Sequence, residues 1–315
     1  MRIFLFLCLC LLQSQAEMLT RSKLAMGTLV SLSVPVEKKE LLQKGFLLLE
    51  DLEKALSSYP PNGAIYHLNR KKTLTPLDPF TYEALVLSKK YYLQTQGYFD
   101  ITIGSITKDL YHFGEQEKVV DKQTLQKANI AFFALHFERD KAFLEENISV
   151  DLGGMGKGFS VDKIATLFTT EKLSRGIISL SGDIRCIGIC TLGIDDPLKE
   201  GIMARFTTKQ EITGVSTSGT YRRFVKTKEH HHLIDPKAKQ QQQEFLSITL
   251  IATLPNSDLD AYATAASVMP KEMAYRFLDE KNIAYIIMQS DHRIVLSANL
   301  KEFVKSLEFI EQEGK

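Results

Sequence analysis

The stretch Asp151-Leu152-Gly153-Gly154-Met155-Gly156-Lys157-Gly158 constrains this chain most, because it sets four glycines within six residues, directly after the strand-like run 148–150. Glycine has no Cβ, so the backbone there can approach another segment or a ligand closely. A helix that starts at such a turn also presents its N–H groups to an anion. Lys157 is placed to pair with a phosphate. The stretch is not a P-loop, which needs Gly-x4-Gly-Lys-Ser/Thr, and it lacks the usual dinucleotide fingerprint. A tight strand-to-helix turn explains the glycines equally well. Alone, the stretch marks a crowded corner of a fold and not an activity.

The pattern around it mixes strands and helices. Residues 28–34 alternate apolar and polar side chains, as a half-buried strand does. Leu42, Phe46, Leu49, Leu52 and Leu56 fall at helical spacing. A second helix is punctuated by Asp78 as N-cap, Pro79 at its first position and Gly97 past its end. Short strands are expected at 148–150, 176–180, 184–190 and 246–252, with a hairpin from 284–288 and 293–297. Helices are expected to start near Lys157, Leu259 and Pro270, and the glutamine tract 240–243 reads as a solvated loop. The strands and helices show no regular βαβ alternation. The expected fold is therefore α+β: one large mixed domain over 17–315, with antiparallel-rich sheets and packed helices.

Composition narrows the function classes. The 315 residues are 44% apolar and 24% charged, which suits a globular chain with a sizeable core and excludes a disordered or multi-span one. Lys+Arg 39 against Asp+Glu 38 lacks the basic excess of a dedicated nucleic-acid binder. Residues 1–16 hold Arg2, a short apolar run and the small-x-small end Ser14-Gln15-Ala16, the pattern of a secretory signal cleaved after Ala16. The expected location is therefore periplasmic or secreted. Lipidation at Cys8 or Cys10 is disfavoured because Leu precedes each. Beyond the signal only Cys186 and Cys190 remain. On a continuing strand their Cα atoms would lie about 13 Å apart, beyond the ~7 Å a disulfide spans. Unless the chain turns between them, they read as core thiols.

Four further clusters carry chemistry-bearing side chains: Thr217-Ser218-Gly219-Thr220-Tyr221-Arg222-Arg223 with His230-His231-His232-Leu233-Ile234-Asp235-Pro236; Asp258, Asp260 and Thr264; Gly97-Tyr98-Phe99-Asp100-Ile101-Thr102-Ile103-Gly104-Ser105; and Ala25-Met26-Gly27-Thr28. Hydroxyls, arginines and a His/Asp pair suit an anionic substrate and proton transfer. Asp260 and Thr264 are four apart, so on a helix they share one face and form a hard-oxygen site suited to Mg²⁺. Taken singly, each cluster also reads as a turn, a helix start or a surface loop.

Together and in order, the segments closely resemble the ApbE family of FAD:protein FMN transferases. The matching stretches are Met26-Gly27-Thr28, Phe99-Asp100-Ile101-Thr102-Ile103-Gly104, the run from Asp151 to Gly158, Ser181-Gly182-Asp183, the run from Thr217 to Arg222, His232-Leu233-Ile234-Asp235-Pro236, and Asp260 with Thr264. The chain departs from the family pattern at Tyr111 (usually Trp), Ser105 (usually Pro), Gly156 (usually Ala), Ser181 (usually Gly), and at Ala238-Lys239, where Thr-Gly is missing.

The resemblance implies a Mg²⁺-dependent transfer of FMN from FAD to a threonine hydroxyl of a target membrane flavoprotein subunit, with AMP released. It implies Mg²⁺, with Mn²⁺ acceptable to the same oxygens, on Asp260, Thr264 and the Gly154 carbonyl. It places FAD along Met26, Tyr59, Asp100, Thr102, Asp151, Lys157, Ser218, Arg222 and Ile234. Lys157 would stabilise phosphate charge, and His232 would be the general base, with His230 and His231 left open as substitutes. Hydrolysis of FAD to FMN and AMP, or FAD binding without catalysis, are the alternatives. No nucleic-acid partner is implied, and membrane association is not required.

Overall fold

The computed structural model describes residues 17–310. The signal read at 1–16, with Cys8 and Cys10, lies outside them. The described chain opens as a hairpin of β1 (Met18–Ala25) and β2 (Thr28–Pro35). Its two-residue turn holds Met26 and Gly27 at φ 51° and 70°, the mirror-type turn that matches strand twist. Helix α1 (Glu40–Leu56) follows, then α2 (Ala64–Lys71), β3 (Thr73–Leu74) and α3 (Pro79–Gln94). The start of α3 is as its sequence predicts. Asp78 Oδ1 accepts from the N–H groups of Phe80 and Thr81 at 2.9 and 3.0 Å, and Pro79 occupies the first turn. Next come the short helices α4 (Gly104–Thr107) and α5 (Lys122–Lys127), then β4 (Leu135–Phe137) and β5 (Ala142–Leu144), which join β3 in a small sheet.

Residues 148–150 are not the strand expected. Asn69 stands in for a strand partner: its Oδ1 accepts from the Val150 N–H at 2.7 Å and its Nδ2 donates to the Val150 carbonyl at 2.8 Å. Beyond the glycine-rich turn come α6 (Gly156–Thr170), β6 (Gly176–Leu180), β7 (Asp183–Ile187), β8 (Thr191–Asp195), β9 (Ile202–Thr208) and β10 (Ile212–Gly219). The pair β11 (Ile234–Asp235) and β12 (Gln240–Gln241) precedes β13 (Phe245–Ala252), α7 (Asn256–Val268) and α8 (Lys271–Glu280). The described chain ends with β14 (Ala284–Gln289), β15 (Ile294–Leu296), α9 (Leu300–Phe303) and β16 (Val304–Phe309).

Eight strands form one antiparallel sheet in the order β1-β2-β6-β7-β10-β13-β14-β15. The α+β expectation holds. Val30, Leu32 and Val34 of β2 bury against Leu41, Leu42 and Leu49 of α1 and Val161, Ile164 and Phe168 of α6. Helix α7 lies next to α6 over the middle strands, and nearly every one of its residues is buried. A Cβ at Gly214 of β10 would come within 2.9 Å of Leu259, so the glycine sets how closely α7 approaches the sheet.

Two further expectations fail for reasons the structure makes plain. Strand β7 ends at Ile187, and Gly188 turns the chain at φ 81°. The Cα atoms of Cys186 and Cys190 thereby come within 6.1 Å, and the two form a disulfide. The reading as core thiols presumed a strand that continued. The glutamine tract is likewise not a solvated loop. Gln241 Nε2 donates to the hydroxyl of buried Tyr111 at 2.8 Å, and Gln242 Oε1 accepts from the N–H groups of Glu244 and Phe245.

Purified protein beginning at Glu17 is therefore expected to show no free thiol until it is reduced. Cys186→Ser should lower stability by about 2 kcal/mol, from the short loop the bridge closes. Thiol titration and thermal melts check both.

Candidate functional site

The glycine-rich turn brings three elements together. Lys157, in the first turn of α6, reaches Asp260 of α7 at 3.2 and 3.3 Å and Asp183 of β7 at 2.9 Å. Asp183 is fully buried, and its Oδ1 accepts from the Ser216 hydroxyl of β10 at 2.5 Å. Burial, and then the nearby Asp260, push the Asp183 carboxyl above the usual range although Lys157 opposes them. Burial works against the Lys157 charge, but the two carboxylates prevail and raise its pKa.

The helices meet at Gly158, whose N–H donates to Asp260 Oδ2 at 3.0 Å. A Cβ there would lie 2.2 Å from the Asn256 carbonyl oxygen. Helix α7 begins at Asn256, three residues before the Leu259 start expected, because its cap comes from a distant residue. Asp162 of α6 accepts from the N–H groups of Asn256 and Ser257, both at 2.8 Å, and also holds Arg185.

One turn along α7 from Asp260, Thr264 Oγ1 donates to the Gly154 carbonyl at 3.1 Å. The three oxygens expected to hold a cation are thus gathered on the face of α7 that meets the turn. Among the described residues no group of three or more His, Cys, Asp or Glu is placed to hold a metal ion. One carboxylate, one hydroxyl and one carbonyl suit a hard cation that takes its other ligands from water and phosphate.

Across the turn the site is positive. Asp151 accepts from Thr107 Oγ1 at 2.7 Å and from the Gly153 N–H at 2.9 Å, with Lys108 Nζ 3.8 Å away. Burial alone would raise the Asp151 pKa. Lys108, then Arg223, and the two hydrogen bonds together hold it below the usual carboxylate range. Lys108 Nζ lies 3.4 Å from the centre of the Tyr59 ring. The Tyr59 hydroxyl donates to the Phe113 carbonyl at 2.9 Å and also meets the Arg223 guanidinium.

His232 completes the group. Its Nδ1 lies 3.0 Å from the Arg223 carbonyl oxygen, which can only accept, so Nδ1 carries the hydrogen and Nε2 keeps its lone pair. Desolvation, then the Arg223 guanidinium, His231 and Lys157, outweigh that bond and push the pKa of His232 down to about 4. The ring is therefore neutral near pH 7. His231 cannot take its place: it is buried, Nε2 faces the Gln242 carbonyl at 3.0 Å, and Nδ1 accepts from the Leu233 N–H.

Several expected residues also make contacts within the fold. The Thr102 hydroxyl donates to Asp100 Oδ1 at 2.7 Å and accepts from the Ala131 N–H at 3.0 Å, so its one hydrogen is held within the fold. Burial raises the Asp100 pKa despite the bonds from Thr102. Ile234 packs among Tyr111, Phe113 and Val225. Met26 Sδ accepts from Ser160 Oγ of α6 at 3.3 Å, which sets the β1–β2 turn beside that helix. Ser218 follows Ser216 on the same face of β10. Arg222 is not brought into the group: it is exposed and pairs with Asp195. Asp183, Lys108 and Arg223 carry no site signal of their own in the sequence, although Asp183 and Arg223 lie within or beside the family-like segments.

Comparison with known proteins agrees with this geometry. Residues 26–287 match the model of the ApbE family. The FAD:protein FMN transferase of Treponema pallidum is 26% identical, over 92% of this chain and 89% of its own. That of Escherichia coli K12 is 24% identical, over 89% and 88%. The structure of flavin transferase ApbE from Vibrio cholerae superposes with a TM-score of 0.79 at 20% identity, covering 91% of this chain and 99% of that one. The ApbE protein of Thermotoga maritima gives 0.83 at 19% identity, covering 92% and 100%. These two likenesses establish the fold.

Gly158→Ala should force α6 and α7 apart and cost about 1–3 kcal/mol, the range for overpacking. Chemical denaturation against Gly156→Ala checks this, because a Cβ at Gly156 meets only Leu56 at 3.9 Å. Imidazole resonances followed by NMR should show His232 staying neutral down to about pH 4.

Proposed function

The chain belongs to the ApbE family, and on that premise we propose that it is an FAD:protein FMN transferase of an oxidising, extracytoplasmic compartment. The observation that carries the chemistry is the pairing of a neutral His232, with Nε2 free, and the Lys157–Asp183–Asp260 group beside the glycine-rich turn. The Cys186–Cys190 disulfide supports the compartment, since such bridges persist where thiols are not kept reduced. The apolar leader at 1–16 supports it too.

The acceptor is a threonine hydroxyl of a target membrane flavoprotein subunit. A hydroxyl is a weak nucleophile near neutral pH, so its proton must leave as it attacks. His232 Nε2 takes that proton while Nδ1–H stays on the Arg223 carbonyl, which holds the ring in one tautomer. The threonine oxygen bonds to the FMN-side phosphorus, the phosphoanhydride bond breaks, and AMP departs with the bridging oxygen. Lys157 and the cations across the turn stabilise the charge that gathers on the phosphates. Asp260, Thr264 and the Gly154 carbonyl would hold Mg²⁺, which when bound supplies Lewis-acid neutralisation at the pyrophosphate.

Incubation with FAD, Mg²⁺ and a flavoprotein carrying the acceptor threonine should give a fluorescent protein band and AMP. EDTA should abolish both products. His232→Ala should lower kcat by about 10²–10⁴-fold, the usual weight of general-base catalysis. Asp260→Ala should give a comparable loss that excess Mg²⁺ only partly restores. Free FMN and AMP with no labelled protein would instead identify a hydrolase, and intact bound FAD would leave a binding protein.

A further inference from the structure

Two arginines stand side by side, and the fold treats them differently. Arg222 points to solvent and is paired with Asp195. Arg223 is half-buried, and among the described residues no carboxylate lies within ion-pair distance of it. Its guanidinium touches the Tyr59 hydroxyl and lies 5.5 Å from the Phe113 ring. Gly114, at φ 79°, leaves room for it: a Cβ there would lie 2.9 Å from the Tyr59 ring and 3.1 Å from Arg223 Nη2. A guanidinium offers five donors in a planar fork suited to phosphate oxygens, and this one spends little of that capacity on the protein.

The other end of the same residue holds the base. Phe224 and His231 form an isolated antiparallel bridge, which sets Arg223 opposite His232. The Arg223 carbonyl accepts from both the N–H and the Nδ1–H of His232, at 3.2 and 3.0 Å. We propose that the Arg223 guanidinium binds a phosphate oxygen of the FAD pyrophosphate, while its carbonyl fixes His232, so that one residue sets the position of the base relative to the phosphate. This deepens the transferase reading and rests on it.

The test uses protein starting at Glu17, with flavin fluorescence titrations of FAD and of riboflavin, which has no phosphate. Arg223→Met should weaken FAD about tenfold to a hundredfold, the weight of a charge-assisted hydrogen bond or two. Riboflavin should shift less than twofold, and Arg223→Lys should recover part of the FAD affinity. With saturating FAD and the acceptor, Arg223→Met should also lower kcat, and Arg223→Lys should recover part of that loss. An equal loss for riboflavin, or an equal FAD loss in Arg222→Met, overturns the phosphate assignment. An unchanged kcat in Arg223→Met overturns the link to His232. Wild-type protein that binds FAD but labels no acceptor would count against the transferase reading and leave the FAD–riboflavin comparison standing.

Discussion

A single ammonium group holds the centre of this structure. Lys157 is shared by Asp183 and Asp260, so α6, β7 and α7 meet on one cation. Removing Lys157 would leave two buried carboxylates without a counter-charge, and breaking a buried ion pair in this way typically costs ~3–5 kcal/mol. The helix contact at Gly158 and the cap that Asp162 gives to α7 fix the same junction from either side. With two carboxylates on one lysine, the α7 side carries a negative excess. Lys108 and Arg223 both act on Asp151, with only Lys108 within ion-pair distance of it among the described residues, so the Tyr59 side carries a positive one. A site polarised in this way matches an elongated polyanion with a cation at one end, which is what a dinucleotide pyrophosphate with a divalent ion presents.

Local signals were legible at some of the places where the chain caps or pairs with itself, although strand β1 and the β8–β9 pair were not among the expected elements. The Asp78–Pro79 start of α3, strand β6 and the β14–β15 hairpin follow from nearby residues alone. The start of α7 did not, because its cap is Asp162, far away in sequence on α6. Residues 148–150 carry a strand's apolar pattern, but a side-chain amide from Asn69 takes the place of a neighbouring strand. The bridge between Cys186 and Cys190 depends on the backbone at Gly188, which spacing alone does not reveal.

Of the oxygens that the family resemblance pairs, Thr264 meets the Gly154 carbonyl, and Asp260 lies one turn before it on α7. Thr102, carried over with them, uses its hydroxyl to tie Asp100 to the Ala131 backbone. Tyr111, where the family usually has Trp, is buried and stacked on Phe113 at 5.0 Å, and Gln241 satisfies its hydroxyl. This departure from the family pattern is accommodated by packing, with the polar partner of Tyr111 supplied from the glutamine tract.

The choice among neighbouring like residues is where the three-dimensional register decides. For two arginines and three histidines in a row, spacing and composition offer no criterion for picking one of each, and the family motif picks His232 and Arg222, the arginine that turns outward to Asp195. The bridge between Phe224 and His231 supplies a criterion, because cross-strand partners share a face and adjacent residues alternate. Arg223 and His232 are thereby directed together, and the Arg223 carbonyl selects the tautomer of His232. His231, one step along, turns the other way and spends both ring nitrogens on backbone groups. Arg222 turns outward to Asp195. One backbone pairing therefore decides both which imidazole is free to act as a base and which guanidinium stands beside it.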